Sequence, residues 1–227
     1  MSLEVLFQNS PWMTGLNADE QDKVRRDMQT RVIPSDGFVC RRGEVANHWF
    51  GVISGVVKIN NVAANGKSTT LLGLAPGSWF GEGSLLKIEP RRYDVVTLRK
   101  SQLALMPKAT FLWLLDHSIF FNRFLISQLN NRLGQFIGAM ENERLLDVDA
   151  RVARSLAAMF TDWYTGQALM IKISQEEVAQ LAGLSRQRVN SALKVLEECG
   201  LIKVHYGEIH ILDLSKLSTF TSPDADK

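Results

Sequence analysis

Glycine is concentrated in one stretch of this chain. Nine of its sixteen glycines fall between Gly37 and Gly83, where they separate short segments rich in valine, isoleucine and leucine. Glycine adopts tight-turn conformations without steric cost, so short strands that end at glycines are typical of antiparallel sandwiches and jelly rolls. Asn65 followed by Gly66 adds a hairpin signal. The sequence therefore predicts an antiparallel β jelly roll, or double-stranded β-helix, over about residues 30–108.

Past Pro107 the spacing of the apolar residues changes from that of strands to that of a helix. No glycine follows until Gly134, and five apolar residues recur at steps of three and four along one stripe of a helix predicted over about residues 120–145. These residues are Leu125, Leu129, Leu133, Phe136 and Met140. Such a helix spans ~39 Å, which is longer than a small domain needs. Its length favours a coiled coil between two copies over packing on its own barrel.

The chain is long enough for two domains. It has 227 residues, of which 45% are apolar and 22% charged, a composition typical of folded proteins rather than disordered ones. Asp147 suits the N-cap of a new helix, so we place a domain boundary there. We expect an α+β protein with an N-terminal domain over 9–117, a long dimerisation helix over 118–146 and a C-terminal domain over 147–227. Residues 1–8 resemble a protease recognition tag and are excluded from the predicted fold.

The C-terminal domain carries the spacing of a helix-turn-helix. Ser174 and Glu177 form a capping box, which marks the start of a helix. Counted from Gln175, the fifth position is small, which allows two helices to cross closely, and the ninth is a glycine suited to the tight turn. The fifteenth is an apolar residue that fills the space between the helices. These three positions are Ala179, Gly183 and Val189.

Side chains that read DNA bases follow at the start of the second predicted helix. An arginine fork matches guanine, and the amide of glutamine or asparagine matches adenine. The basic charge is local, because 26 Lys and Arg against 24 Asp and Glu leave a net charge of only +2. The candidate DNA-binding residues are Ser174, Gln175, Ser185, Arg186, Gln187, Arg188, Asn190 and Lys194. Two short apolar segments after Gly200 flank a turn at 206–208 and predict the wing of a winged helix-turn-helix.

Several other classes of site are not supported by the sequence. Two distant cysteines, Cys40 and Cys199, cannot form a disulfide framework, a cysteine-rich zinc site or a four-thiolate iron–sulfur cluster within one chain. His48 and His117 stand alone, so no metal ligands are predicted. We recognise no catalytic motif and expect no enzyme. No apolar segment is long enough to cross a membrane and no signal peptide is visible, which predicts a cytoplasmic protein without a membrane partner.

Taken in chain order, these elements resemble the CRP/FNR family of bacterial transcription regulators from about residue 10. The segments that carry the resemblance are residues 37–39, 42–44, 53–57, 76–82 and 173–202. The resemblance implies a homodimer built on the long helix and an N-terminal effector domain similar to cyclic-nucleotide-binding domains. It also implies a palindromic double-stranded DNA operator with half-sites about one helical turn apart, and RNA polymerase as a further partner.

The resemblance also implies an effector site. Family members that bind cyclic AMP have a Gly-Glu pair on a short helix and, ten residues after the glutamate, an arginine followed by serine or threonine. Here Glu82 and Arg92 match, whereas Tyr93 replaces the small hydroxyl residue, and Phe136 and Ile137 replace a Thr-Ser pair that faces adenine. The candidate effector residues are Gly81, Glu82, Gly83, Arg92, Tyr93, Phe136 and Ile137.

The sequence leaves two questions open. Glu82 and Arg92 could hold a phosphate-bearing ligand or form a structural ion pair. The effector could be a cyclic nucleotide, another ligand that fits an apolar pocket beside Phe136, or absent. A second class of function is also open, because helix-turn-helix spacing occurs in units that never bind DNA. In that alternative the chain is a small-molecule-binding module whose C-terminal unit mediates protein contacts.

Overall fold

The computed structural model describes residues 2–62, 68–145, 147–160 and 169–221. Within these residues the chain is α+β, as predicted: two four-stranded antiparallel sheets come first, then a long helix, then a helical unit with a three-stranded sheet. Among the helices of this described part, none is long and apolar enough to cross a membrane.

The two four-stranded sheets form the predicted jelly roll, called the roll below. Its strands are β1 (Gln29–Ile33), β2 (Phe38–Cys40), β3 (His48–Ser54), β4 (Val57–Val62), β5 (Ser68–Leu74), β6 (Trp79–Phe80), β7 (Asp94–Thr97) and β8 (Ser101–Pro107). One sheet has the order β1-β8-β3-β6 and the other β2-β7-β4-β5. Fully buried side chains such as Val52, Val57 and Leu103 form a core in the roll. The Asn65-Gly66 hairpin signal lies outside the described residues, although β4 and β5 pair antiparallel up to Val62 and Ser68.

Short helices form a second core with part of the roll. They are α1 (Leu3–Gln8), α2 (Pro11–Thr14), α3 (Ala18–Asp27) and α5 (Lys108–His117), while α4 (Glu82–Leu86) follows β6. Rings of Trp12, Trp49 and Trp79 pack against one another in this core. Leu6 and Phe7 are buried in the same cluster, so the exclusion of residues 1–8 from the fold was wrong for this segment. Although the segment resembles a tag, its apolar side chains pack against the roll and the short helices.

The predicted long helix is confirmed as α6 (Ile119–Leu145). Its inner side packs on the roll and the short helices through Phe121, Phe124, Leu125, Gln128 and Arg132. Its outer side exposes a stripe of Ile126, Leu129, Leu133, Phe136 and Ile137, called the outer stripe below. The predicted stripe therefore needs correction, because Leu125 is only 2% exposed and belongs to the inner side. The side chain of Met140 lies outside the described residues.

The C-terminal unit confirms the predicted winged helix-turn-helix. Its elements are α7 (Val148–Ala157), β9 (Met170–Lys172), α8 (Gln175–Ala182), α9 (Arg186–Glu198), β10 (Ile202–His205), β11 (Glu208–Ile211) and α10 (Leu214–Ser218). Asp147 caps α7 as predicted, with its side chain accepting a hydrogen bond from Ala150 N. The sheet order β10-β11-β9 adds a third strand to the wing. The core of this unit is continuous with three roll residues, Val56, Ala75 and Leu98.

Candidate functional site

The helix-turn-helix is fixed by local interactions that the sequence specifies. The backbone N–H of Ser174 donates to the Glu177 carboxylate at 2.6 Å, and the N–H of Glu177 donates to Ser174 Oγ at 3.2 Å. Helix α8 ends at Gly183, whose φ of 65° lies in the left-handed region that favours glycine. Ala179 and Val189 are buried where the two helices meet. The positions predicted for a helix-turn-helix are therefore confirmed.

The start of α9 presents its polar side chains to solvent. Ser185 caps the helix by accepting a hydrogen bond from Arg188 N at 3.4 Å. Arg186, Gln187, Arg188 and Lys194 are exposed and Asn190 is half-buried, while Val189, Ala192, Leu193 and Leu196 anchor the opposite side in the core. In α8, Ser174 is exposed and Gln175 half-buried. A rigid helix that carries these groups at its positive N-terminal end can approach both phosphates and base edges.

The wing extends this polar surface. Its hairpin pairs Lys203 with His210 and His205 with Glu208, so these four side chains share one side of the sheet. Tyr206 at the turn is fully exposed. The imidazole of His210 lies 3.0 Å from a Glu208 carboxylate oxygen, and this hydrogen bond lowers the pKa of Glu208. The wing therefore adds charged and hydrogen-bonding side chains beside α9.

The effector candidates surround the start of α4. Gly81 has φ of 92°, which allows the chain to turn from β6 into the helix. Glu82 is almost fully buried, and its carboxylate accepts hydrogen bonds from Trp49 Nε1 at 3.2 Å and from Arg132 Nη1 at 2.6 Å. Gly83 is exposed. Both carboxylate oxygens of Glu82 are thus bonded to protein groups, one of them from the long helix.

The two neighbouring arginines adopt opposite orientations. Arg92 is 66% exposed in its side chain and forms an ion pair with Glu89 at 2.7 Å, so it points away from Glu82. Arg91 is buried instead, donates to the carbonyl oxygen of Gly81 at 2.7 Å and also donates to the carbonyl of His48. The two arginines precede β7, and the structure turns Arg91 into the roll and Arg92 out to solvent. The structural ion pair between Arg92 and Glu82, one of the two alternatives that the sequence left open, is therefore not formed.

The remaining candidates divide between the two sides of α6. Tyr93 lies close enough to Glu82 that burial, together with this negative charge, raises the pKa of the tyrosine. Phe136 and Ile137, in contrast, belong to the outer stripe and are 43% and 51% exposed. The structure therefore does not bring them to Glu82.

Two residues of α6 that the sequence did not predict, Gln128 and Arg132, contact this region instead. Arg132 reaches Glu82, and both Arg132 and Gln128 donate to the carbonyl of Trp79. The four-residue step from Gln128 to Arg132 matches the inner side of α6, and this spacing was the one available signal for their role.

A cavity of about 50 Å³ adjoins this region. Its walls combine apolar and polar side chains, among them Ser10, Trp12, Leu72, Leu74, Gln128 and Arg132. In the core of the roll, the rings of Phe50 and Phe80 stack with their centroids 5.2 Å apart. Among the described residues, no group of three His, Cys, Asp or Glu side chains is arranged to hold a metal ion.

The fold and the two sites define a class: a sensor-type roll joined by a long helix to a winged helix-turn-helix. A family model described as cyclic nucleotide-binding domain matches residues 30–118, and one described as Crp-like helix-turn-helix domain matches residues 150–220. The chain belongs to the CRP/FNR family of transcription regulators.

Similar proteins span nearly the whole chain. The CRP-like cAMP-activated global transcriptional regulator of Mycobacterium tuberculosis is 29% identical over 206 residues, covering 86% of this chain and 89% of that protein. The crystal structure of the Thermus thermophilus catabolite activator protein is 26% identical, with a TM-score of 0.51, and the match covers 92% of this chain and 99% of that one. FixK2 from Bradyrhizobium japonicum has a TM-score of 0.68 at 18% identity, covers 86% and 98% respectively, and shows the shared fold.

Proposed function

We propose that this chain is a homodimeric regulator that binds a palindromic DNA operator through α9 and controls transcription by RNA polymerase in the bacterial cytoplasm. The proposed units are an effector domain over 9–117, a dimerisation helix over 118–146 and a DNA-binding domain over 147–227. The observation that carries the proposal is the exposed, polar and basic first turn of α9 on a fully packed helix-turn-helix. The names of relatives as transcriptional regulators support it.

Each candidate side chain receives a role from its chemistry. We assign Arg186 and Arg188 to guanine edges, and Gln187 and Asn190 to adenine edges, in the major groove. Four further residues are assigned to backbone phosphates: Ser174, Gln175, Ser185 and Lys194. Phosphate contacts position the helix on the duplex, whereas the base contacts select its sequence.

The outer stripe of α6 supports dimerisation. Ile126 and Leu133 lie seven residues apart, as do Leu129 and Phe136, which is the a and d spacing of a coiled coil. All four are exposed in the single chain, and Ile126 is exposed by 67%. Such an apolar stripe on a helix of 27 residues fits a second copy of the same helix. Two-fold pairing would present two α9 helices to half-sites about one turn of DNA apart.

The residues near Glu82 do not fit cyclic AMP. Arg92 faces solvent and pairs with Glu89 instead of pointing into the roll, and Tyr93 fills the position of a small hydroxyl residue. Arg132 and Trp49 already satisfy the Glu82 carboxylate. We therefore propose that the roll responds to a different ligand or holds the regulator in one state without a ligand, although relatives are named for activation by cyclic AMP.

Binding-site selection on the purified protein tests the proposed function. We expect a palindromic sequence to be enriched, and Arg186→Ala to lose about 1–3 kcal/mol of binding energy, chiefly at one base position. Arg42→Ala removes the same charge from an exposed position on the roll and should leave the affinity unchanged. If no sequence is enriched, or if both variants bind DNA equally, the proposal fails, and the C-terminal unit is better explained as a protein-contact module.

A further inference from the structure

Helix α8, the first helix of the helix-turn-helix, is tied to the roll of its own chain by an arginine fork. Arg99, in the connection between β7 and β8, donates from Nε to Glu177 Oε1 at 2.8 Å and from Nη2 to Glu177 Oε2. Two parallel hydrogen bonds between a guanidinium and a carboxylate fix direction as well as distance. Glu177 is buried, so this pair is screened by solvent less than a surface ion pair.

Polar and apolar contacts surround the fork. Lys58 Nζ donates to Gln180 Oε1 at 3.2 Å. Gly73 of β5 lies against Leu181, and a Cβ atom at Gly73 would come within 2.9 Å of a Leu181 methyl carbon. The contact is therefore close because residue 73 has no side chain. Three roll residues, Val56, Ala75 and Leu98, belong to the same buried cluster as the core of the C-terminal unit.

Glu177 serves two structural purposes at once. Its carboxylate accepts the backbone N–H of Ser174 in the capping box and also binds Arg99. Burial by itself raises the pKa of Glu177, but the hydrogen bonds from Arg99 and Ser174 and the charge of Arg99 outweigh burial and lower it. The residue that starts α8 is thus the residue that attaches α8 to the roll.

The contact between α8 and the roll does not cover the polar first turn of α9. Arg186, Gln187 and Arg188 stay exposed while α8 is in contact with the roll. In β5, Leu72 and Leu74 line the cavity beside α6, whereas Gly73 between them contacts α8. Strand β5 therefore contacts the cavity beside α6 through Leu72 and Leu74, and it contacts the DNA-binding unit through Gly73.

We infer that Arg99, Glu177 and Gly73 form a latch that fixes the orientation of the DNA-binding unit on its own roll and so sets the distance between the two recognition helices of the dimer. The inference rests on the proposed function. A dimer that binds two half-sites gains affinity when its two recognition helices are held at the spacing of those half-sites. The second contact is then made at high effective concentration. Binding to a single half-site does not depend on that spacing.

The test uses the full chain and two duplexes derived from the selected operator, one with both half-sites and one with a single half-site. We expect Arg99→Gln to weaken binding to the two-site duplex about tenfold and to change single-site binding by less than about twofold. Arg26→Gln is the matched control: it removes an exposed arginine that pairs with Asp27, far in sequence from α8, and should bind both duplexes like the native chain.

A second variant tests the latch without changing charge. Gly73→Val places a branched side chain against Leu181 and should reproduce the selective loss on the two-site duplex. Hydrogen exchange should show faster exchange of the α8 amides in both variants, with α6 unchanged.

Three results would overturn the inference: equal losses on both duplexes, which would make Arg99 a phosphate contact; unchanged binding; or tighter binding, which would make the contact inhibitory. If the native chain selects no operator at all, the proposed function fails first, and the hydrogen-exchange result alone then decides whether the latch exists.

Discussion

At the scale of single residues, the buried pair of Glu82 and Arg132 is the most consequential finding. A buried carboxylate is costly unless its charge is matched, and here the matching cation comes from the long helix rather than from a ligand or a neighbouring strand. The pair therefore joins the roll to α6 at the point where the family places its effector. Its strength in this chain can be measured apart from any ligand.

We expect Arg132→Met to lower the free energy of unfolding by about 3–5 kcal/mol, because among the described residues it leaves the buried Glu82 carboxylate with the Trp49 N–H as its one partner. The double variant Glu82→Gln/Arg132→Met should lose less than Arg132→Met alone, since no unpaired charge remains. Arg123→Met, an exposed arginine on the same helix, is the control and should change little. Urea unfolding of the four proteins measures these effects. Equal stabilities of the Arg132 and Arg123 variants would contradict the importance of the pair.

The orientation of single side chains near Glu82 could not be predicted from the sequence. Spacing from Glu82 pointed to Arg92, but a count along the chain cannot decide which of two adjacent arginines turns inward. That choice depends on the carbonyls of Gly81 and His48, which Arg91 reaches across the roll. In contrast, Ser174, Gly183 and Val189 were predictable because each meets a requirement of the local backbone or of two consecutive helices.

At the scale of elements, α6 has a buried inner side and an exposed outer side. Its bounds were predicted to within one residue, because helical periodicity is a local property. The division of its sides was not, since Leu125 and Ile126 are adjacent and differ by about 100° around the helix. Only packing on the short helices places Leu125 inside and leaves Ile126 outside.

If the outer stripe pairs two copies as proposed, Leu133→Asp should leave the chain monomeric. The substitution places a charge in the middle of the outer stripe, where two copies of the helix would bury it without a partner. Asn130→Asp adds the same charge at an exposed position beside the stripe and should remain dimeric. Sedimentation velocity at micromolar concentration separates the two outcomes. A native chain that is monomeric, or a Leu133→Asp variant that stays dimeric, would show that the stripe has another use.

At the scale of the whole molecule, the roll and the DNA-binding unit share a buried cluster, so the effector region and the recognition helix belong to one connected structure. The sequence predicted both units but not their contact. Arg99 and Glu177 stand 78 positions apart in the chain, and no local pattern relates them. Long-range pairs of this kind are decided by the packing of complete domains.

The connected structure makes a prediction about ligands. We expect millimolar cyclic AMP to leave operator affinity unchanged and to produce no binding heat in calorimetry, because Arg92 points to solvent and Tyr93 occupies the inner position. Arg92→Ala should behave like the native chain. Micromolar binding of cyclic AMP that is lost in Arg92→Ala would show that the arginine turns inward to meet a phosphate.

The attachment of the DNA-binding unit should also depend on pH with a definite sign. The pKa of Glu177 in the folded chain lies below the ordinary value of 4.5, so its stabilising contribution is fully present above that value and is lost as the pH falls through the lowered pKa. Glu177→Gln isolates the effect, because glutamine can still complete the capping box but cannot form the ion pair. The native chain should unfold at a higher temperature than Glu177→Gln at pH 7, and the difference should shrink steadily below about pH 4.5. A difference that is constant with pH, or one that grows in acid, would mean that the charge of Glu177 does not hold the two units together.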